Sequence, residues 1–365
     1  MVSCPESYKR LHKIVKALAP AGVARETRRM TLPQKLDPSQ AAVRPKMEDI
    51  ARLAGVSVST VSRALAGSPK VTGDTRARIE AAVRETGYVV NQVAQGLRLQ
   101  RSRQLLVLLP TIANPFFAEV VQGIEEVAGA AGYGVLVGST ENEPEREASL
   151  ARQLLTGGVD GLVLLTGRIP EGLAEHAMSG QIVAVSETIP GSLLPTIAID
   201  NEAAAAAAVA HLLGLGHRRI AHIGGPPGNV LTAQRARGWR KALAGAGIGE
   251  KPVFGDFTMA SGEAAMTALL TRTPRPTAVF CANDEMAIGA MKAARDAGLR
   301  VPTDLSIIGF DDISFAAFTD PPLTTIRQPR RELGRAAVAA LLEGSRVRRW
   351  MDHELVCRAS TAPPE

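Results

Sequence analysis

The chain has 365 residues, 45% of them hydrophobic, which suffices for two or three domains with sizeable cores. Its three cysteines, Cys4, Cys281 and Cys357, lie far apart with no metal-ligand or CxxC spacing, which argues against a metal site or disulfide framework and for a reducing cytosol. No apolar run reaches the ~18 to 20 residues of a bilayer span and no apolar stretch follows the basic N-terminus, so neither an embedded nor an exported protein is expected.

The net charge of +6 is divided unevenly: residues 1–45 hold nine Lys/Arg against three Asp/Glu, residues 46–103 hold ten against five, and the rest is acidic. A basic front on an acidic body points to a polyanion partner for the front alone. Residues 1–45, with Pro20, Pro33, Pro38 and Pro45, are expected to be a disordered basic extension. A GTG codon would supply both Val43 and an alternative start, so translation is expected to begin near there.

Residues 46–90 read as three helices, Glu48 to Ala54, Val58 to Ala66 and Asp74 to Thr86, with Ser57 as a cap and Gly87 as a stop. In "IARLAGVSVSTVSRAL" two short helices meet at Gly55, the spacing of a helix-turn-helix. Ile50, Ala51, Ala54, Val56, Val61 and Leu65 can pack together and leave Val58, Ser59, Thr60, Ser62 and Arg63 outward. Small polar residues beside an Arg suit a major groove about 12 Å wide, although a helical hairpin with a solvated polar face shares the pattern. Residues 91–103 read as a linker to the body that follows.

From Leu105 on, short runs such as "LLVLLP", "DGLVLLT", "RIAHIGG" and "SIIGFDD" alternate with helical stretches, the texture of parallel sheets covered on both faces. Two α/β lobes follow, the first about 104–202 and 329–345, the second about 203–328 and 346–365. A small ligand then belongs in the cleft at the carboxyl ends of the strands. Asn114 and Pro115 can open a helix that sets Phe116 and Phe117 at the cleft mouth, either stacked on a ligand or part of an inter-lobe core. Asp284, at a strand end, can accept two hydroxyl hydrogens of a sugar ring. Asp200 and Asn201, Phe310 and Asp311, and Gln328 are further strand-end candidates. Catalysis is not expected: no GxGxxG follows the first strand and no GKS/T loop occurs. His217 and His222 flank "RIAHI" and read as structural. A periplasmic sugar-binding protein would need a signal peptide and have no use for the helix-turn-helix.

The ordered motifs "MEDIARLAGVSVSTVSRALAGSPKVT", "NQVAQGLR", "NPFFAEVVQGIE", "GHRRIAHIGG", "CANDEMAIGAM", "VPTDLSIIGFDD" and "PPLTTIRQP" resemble the LacI/GalR (Lac repressor) family over about 46–360, most of all its cytidine-responsive branch. The resemblance implies an all-α helix-turn-helix DNA-binding headpiece joined to an α/β periplasmic-binding-protein-like effector domain of two doubly wound parallel-sheet lobes. It assigns base reading to Val58 and Ser59, and phosphate and base contacts to Thr60, Ser62 and Arg63. It makes Asn91 to Arg98 a hinge helix, with Asn91 and Ala94 at the DNA and Leu97 as a minor-groove wedge, unless Leu97 is a linker residue packed on the body. It aims Arg235 and Asp284 at the effector.

The implied protein is a cytoplasmic, nucleoid-associated repressor that needs no cofactor. It binds pseudopalindromic operator DNA as a homodimer, since one small headpiece buries too little surface. A ligand in the cleft, a nucleoside first and a sugar or sugar acid second, biases the lobe orientation and thereby the hinge. Phe117 to Ala131 and "EMAIGAMKAA" are the expected dimer contacts, and with no terminal leucine heptads a tetramer is not expected.

Overall fold

The structure is a computed structural model in which residues 45–88, 101–249 and 251–365 are described. It divides into two compact units, Met1–Val90 and Asn91–Glu365. The extension 1–44 and most of the expected hinge, including Asn91, Ala94 and Leu97, lie outside the described residues.

In the first unit α1 (Met47–Ala54), α2 (Val58–Leu65) and α3 (Gly73–Thr86) follow the expected order. The Lys46 backbone N–H donates to the Asp49 carboxylate at 3.0 Å and fixes the start of α1. Gly55, at φ 64°, makes the turn in the left-handed region that other residues avoid. Ser57 caps α2 by accepting from the Thr60 N–H at 3.2 Å. Ile50, Val61 and Ile79 are fully buried among Ala51, Ala54, Ala64 and Ala82, so one stripe from each helix makes the core. Arg76 donates to the carbonyls of Ala64 and Ser68, both at 2.9 Å, and ties α3 to the turn after α2.

The second unit runs β1 (Gln104–Leu109), α4 (Pro115–Ala130), β2 (Gly134–Ser139), α5 (Pro144–Leu155), β3 (Gly161–Leu164), β4 (Ile182–Val185), β5 (Thr196–Ile199), α6 (Asn201–Gly214), β6 (Ile220–Gly224) and α7 (Val230–Gly245). It continues with β7 (Val253–Phe254), α8 (Met259–Leu270), β8 (Ala278–Cys281), α9 (Asp284–Asp296), β9 (Ser306–Asp311), β10 (Thr324–Arg327), α10 (Arg330–Glu343), β11 (Arg348–Met351) and β12 (Glu354–Val356). The strands form two six-stranded sheets, ordered β11-β5-β4-β3-β1-β2 and β12-β10-β9-β8-β6-β7. All pairings are parallel except β10 with β12. Each sheet carries apolar clusters on both faces, which is why its strands read as unbroken Val, Ile and Leu.

The chain crosses between lobes after β5, after β10 and after β11. The last crossing corrects the expected boundary: residues 346–365 were assigned to the second lobe, yet β11 pairs with β5 in the first. It covers the backbone edge that β5 would otherwise expose, and Arg348 fastens it by donating to the Ser192 carbonyl at 2.6 Å. Gly123 of α4 and Gly334 of α10 face each other where these helices cross. A Cβ on either would strike the opposing backbone, at the Arg331 or the Val120 carbonyl.

Candidate functional site

In the headpiece Ser59 and Arg63 stand on the side of α2 opposite Val61 and Ala64, with Val58, Thr60 and Ser62 on its flanks. Val58 is 39% exposed, Ser59 and Arg63 are exposed, and Thr60 and Ser62 are half-buried. Ser57 Oγ lies 2.8 Å from both Ser59 Oγ and Thr60 Oγ1, so three hydroxyls are already linked at the start of α2. That row, with the Arg63 guanidinium a turn further on, presents the donors and acceptors that phosphate and base edges require.

In the effector body a cavity of about 120 Å³ opens between the lobes. Asn114, Phe116 and Phe117 line it as expected. The Asn114 Oδ1 caps α4 by accepting from the Phe116 N–H at 2.9 Å, and the two rings meet edge to face with centroids 5.3 Å apart. Phe116 is also part of the first-lobe core cluster, which includes Ile313 from the second lobe, as the inter-lobe core reading expected.

Arg235 is 2% exposed and lines the cavity. Its Nε donates to Asn201 Oδ1 at 3.0 Å, one terminal nitrogen donates to the Ala282 carbonyl, and the other lies 3.6 Å from Asp311. Phe310 lies beneath it, ring centroid 3.7 Å from the guanidinium carbon. Asp311 lines the cavity and accepts from the Gln328 side chain at 2.7 Å. Phe310, Asn201 and Gln328 thus support the lining from behind instead of joining it.

Two expected ligands are placed elsewhere. Asp284 is fully buried and directed into its own lobe: one oxygen accepts from the Thr325 hydroxyl at 2.5 Å, the other from the Ile313 N–H at 2.8 Å. It does not line the cavity, and its two oxygens tie the start of α9 to β10 and to the segment after β9. Burial, reinforced by the Asp311 charge, pushes its carboxyl well above the usual range. Asp200 is exposed and caps α6 through the Ala203 N–H at 2.9 Å.

The lining also includes residues not singled out from the sequence: Glu187, Ser186, Asn229, Asp256, Phe257 and Glu285. Glu187 stands just beyond β4, at the end of the run "IVAVSE", and its position at a strand terminus was the available signal. Burial pushes its carboxyl up to about 7 against the pull of Arg235, the Asn229 hydrogen bond and Arg168. Burial and the Asp311 charge raise Glu285 to about 7 as well. The two histidines are structural. His217 bridges Thr277, Ser306 and the Ala362 carbonyl, and His222 stacks on Phe280 at 4.8 Å and meets the Phe280 carbonyl at 2.9 Å.

Residues 46–91 match the family model described as bacterial regulatory proteins, lacI family, and 209–361 match a periplasmic binding protein-like domain. The HTH-type transcriptional repressor CytR of Escherichia coli K12 is 43% identical over 86% of this chain and 96% of its own length. The chain belongs to the LacI family. The ribose operon repressor of E. coli K12 is 36% identical over 81% of this chain and 92% of its own length. A Lac repressor dimer bound to operator and the anti-inducer ONPF superposes with a TM-score of 0.80 at 31% identity, covering 87% and 99% of the two chains. A CelR–cellobiose complex does so at 0.65 and 32%, covering 87% and 100%. This LacI-family chain is a DNA-binding transcriptional regulator with ligand-controlled operator binding, not an enzyme. Among its described residues no helix is long and apolar enough to cross a membrane.

Proposed function

We propose that the protein acts in the cytoplasm, on the nucleoid, as a homodimeric repressor that lays α2 in the major groove, with Val58 and Ser59 toward the bases and Thr60, Ser62 and Arg63 on bases and phosphates. The observation that carries this is the outward row of linked hydroxyls ending in exposed Arg63, held by the Ile50–Val61–Ile79 core. Residues 91–103 serve as the hinge, with Asn91 and Ala94 at the DNA and Leu97 as the wedge. The expected dimer surface is revised: apart from Lys292, Arg295 and Asp296 the "EMAIGAMKAA" helix has little outer face, because α9 packs on α8. Exposed apolar side chains sit instead at Leu136 and Val137 of β2 and at Phe254 and Phe318, and these suit a symmetric contact better.

The effector is a nucleoside, bound with its base near Phe116 and Phe117; a sugar is the second candidate. The close relationship to CytR and the aromatic lining support the first, and the cellobiose complex of a relative supports the second. On DNA selected from a random library by the wild-type protein, Arg63→Ala should lose most of its binding while its melting temperature still responds to effector. Unchanged affinity would overturn the groove assignment. A thermal-shift series across nucleosides and sugars decides the effector class: no response to any nucleoside removes the first candidate.

A further inference from the structure

Four acids line the cleft, Glu187 from the first lobe and Asp256, Glu285 and Asp311 from the second, against one cation, Arg235. That cation is already engaged by Asn201, the Ala282 carbonyl, Asp311 and the Phe310 ring. The helix N-termini at the cleft are already used in part, since Asn114, Asn229 and Thr258 each accept from one backbone N–H of α4, α7 and α8. A phosphate or carboxylate entering here finds four acids around one engaged cation; beyond the lining, Arg168 is bonded to Glu147 through Nε and keeps an Nη2 without a partner.

Glu187 has the opposite need. It is 6% exposed, and its Oε2 has no hydrogen-bond partner. Neither has the Oγ of Ser186, which is 3% exposed and held at φ 67° beyond β4. Gly167 leaves room for the carboxyl: a Cβ there would collide with Oε2. Around it stand Arg235 from the other lobe, Arg168, Asn229 and the like charge of Glu147, and Arg168 is bonded to Glu147. A buried acceptor in such a place calls for a donor.

We propose that Glu187 selects an uncharged effector by accepting a hydrogen bond from it, and that the cleft rejects phosphorylated and carboxylated ligands. The inference rests on the cleft being the effector site, and it removes sugar acids from the candidates. Accepting that bond favours the ionised carboxylate, so binding expels a proton and tightens as pH rises through about 7. An anionic ligand would show the reverse trend.

The test is calorimetry of the full chain and of Glu187→Gln with cytidine, cytidine 5′-monophosphate, ribose and ribose 5-phosphate, from about pH 6 to about pH 8. The uncharged member of a binding pair should exceed its phosphate by at least roughly tenfold, and Glu187→Gln should weaken it by roughly tenfold and flatten its pH dependence. A phosphate that binds as tightly as its parent overturns the proposal, as does a Gln variant that keeps affinity and pH slope. A purely structural Glu187 would leave that slope intact. If ribose binds in this pattern and cytidine does not, the nucleoside reading fails and this one stands. Silence from all four compounds overturns both. A melting temperature of the variant at or above wild type verifies its fold.

Discussion

The headpiece and the effector body hold their functional groups in opposite ways. The headpiece is three short helices around Ile50, Val61 and Ile79, and Ser59 and Arg63, two of the residues proposed to meet DNA, are exposed on its surface. In the body, Arg235, Asp311 and Glu187 are almost wholly enclosed, and burial shifts each of them toward its neutral form. A surface site can therefore be built from one helix and a small core. An interior site needs partners from several elements, and those partners also become essential to stability.

Removing Arg235 should give the largest effect. Arg235→Met leaves Asp311 buried without its cation and should destabilise the body by about 4 kcal/mol while leaving the headpiece unchanged. Calorimetry would register a lowered body transition, and an unshifted one would mean that the charge cluster is relaxed by water.

Glu187 should make body stability depend on pH. Its folded pKa of about 7 lies above the ordinary 4.5, so its contribution is complete below about 4.5 and is lost as pH rises to about 7. His222, pushed down to about 4 by burial, acts in the opposite sense and is lost as pH falls. The difference between wild type and Glu187→Gln isolates the first effect. The Gln variant should gain no more than about 3 kcal/mol relative to wild type across that window, read from urea melts at several pH values. In the headpiece Asp49 has the reverse sign: the Lys46 N–H and Arg52 lower its pKa, so its contribution is present above about 3.8 and lost in acid.

Ile79→Ala should cost the headpiece about 2 kcal/mol, a large share for so small a core, and should expose 45–88 to protease with the body transition unmoved. Ser57→Ala removes both the cap of α2 and the hub of its hydroxyl row. It should cost about 1 kcal/mol in thermal melts and weaken operator binding beyond that loss.

Much of the headpiece was legible in the sequence because helix faces repeat every 3.6 residues, so buried Ile50, Val61 and Ile79 and outward Arg63 follow from spacing. The cleft was legible only in part. Phe116 and Phe117 follow from the Asn-Pro start of α4, and Arg235 from the family resemblance. Asp284 looked like a ligand because it ends a strand run, yet Thr325 and the Ile313 N–H, more than 25 residues away in sequence, take both of its oxygens. Glu187 has only its place at the end of the strand run "IVAVSE" to mark it, and its importance comes from Arg235, Arg168 and Gly167.

By its own periodicities and turns the sequence determined a helix-turn-helix followed by two covered parallel sheets, since those patterns express local backbone geometry and which faces must leave water. Tertiary structure alone decided which lobe receives β11, which acid faces the cleft and which is tied inward, and that the cation Arg235 in the lining is already engaged. Those outcomes depend on hydrogen bonds and charges between residues far apart in the chain, whose strength is set by burial that no single segment encodes.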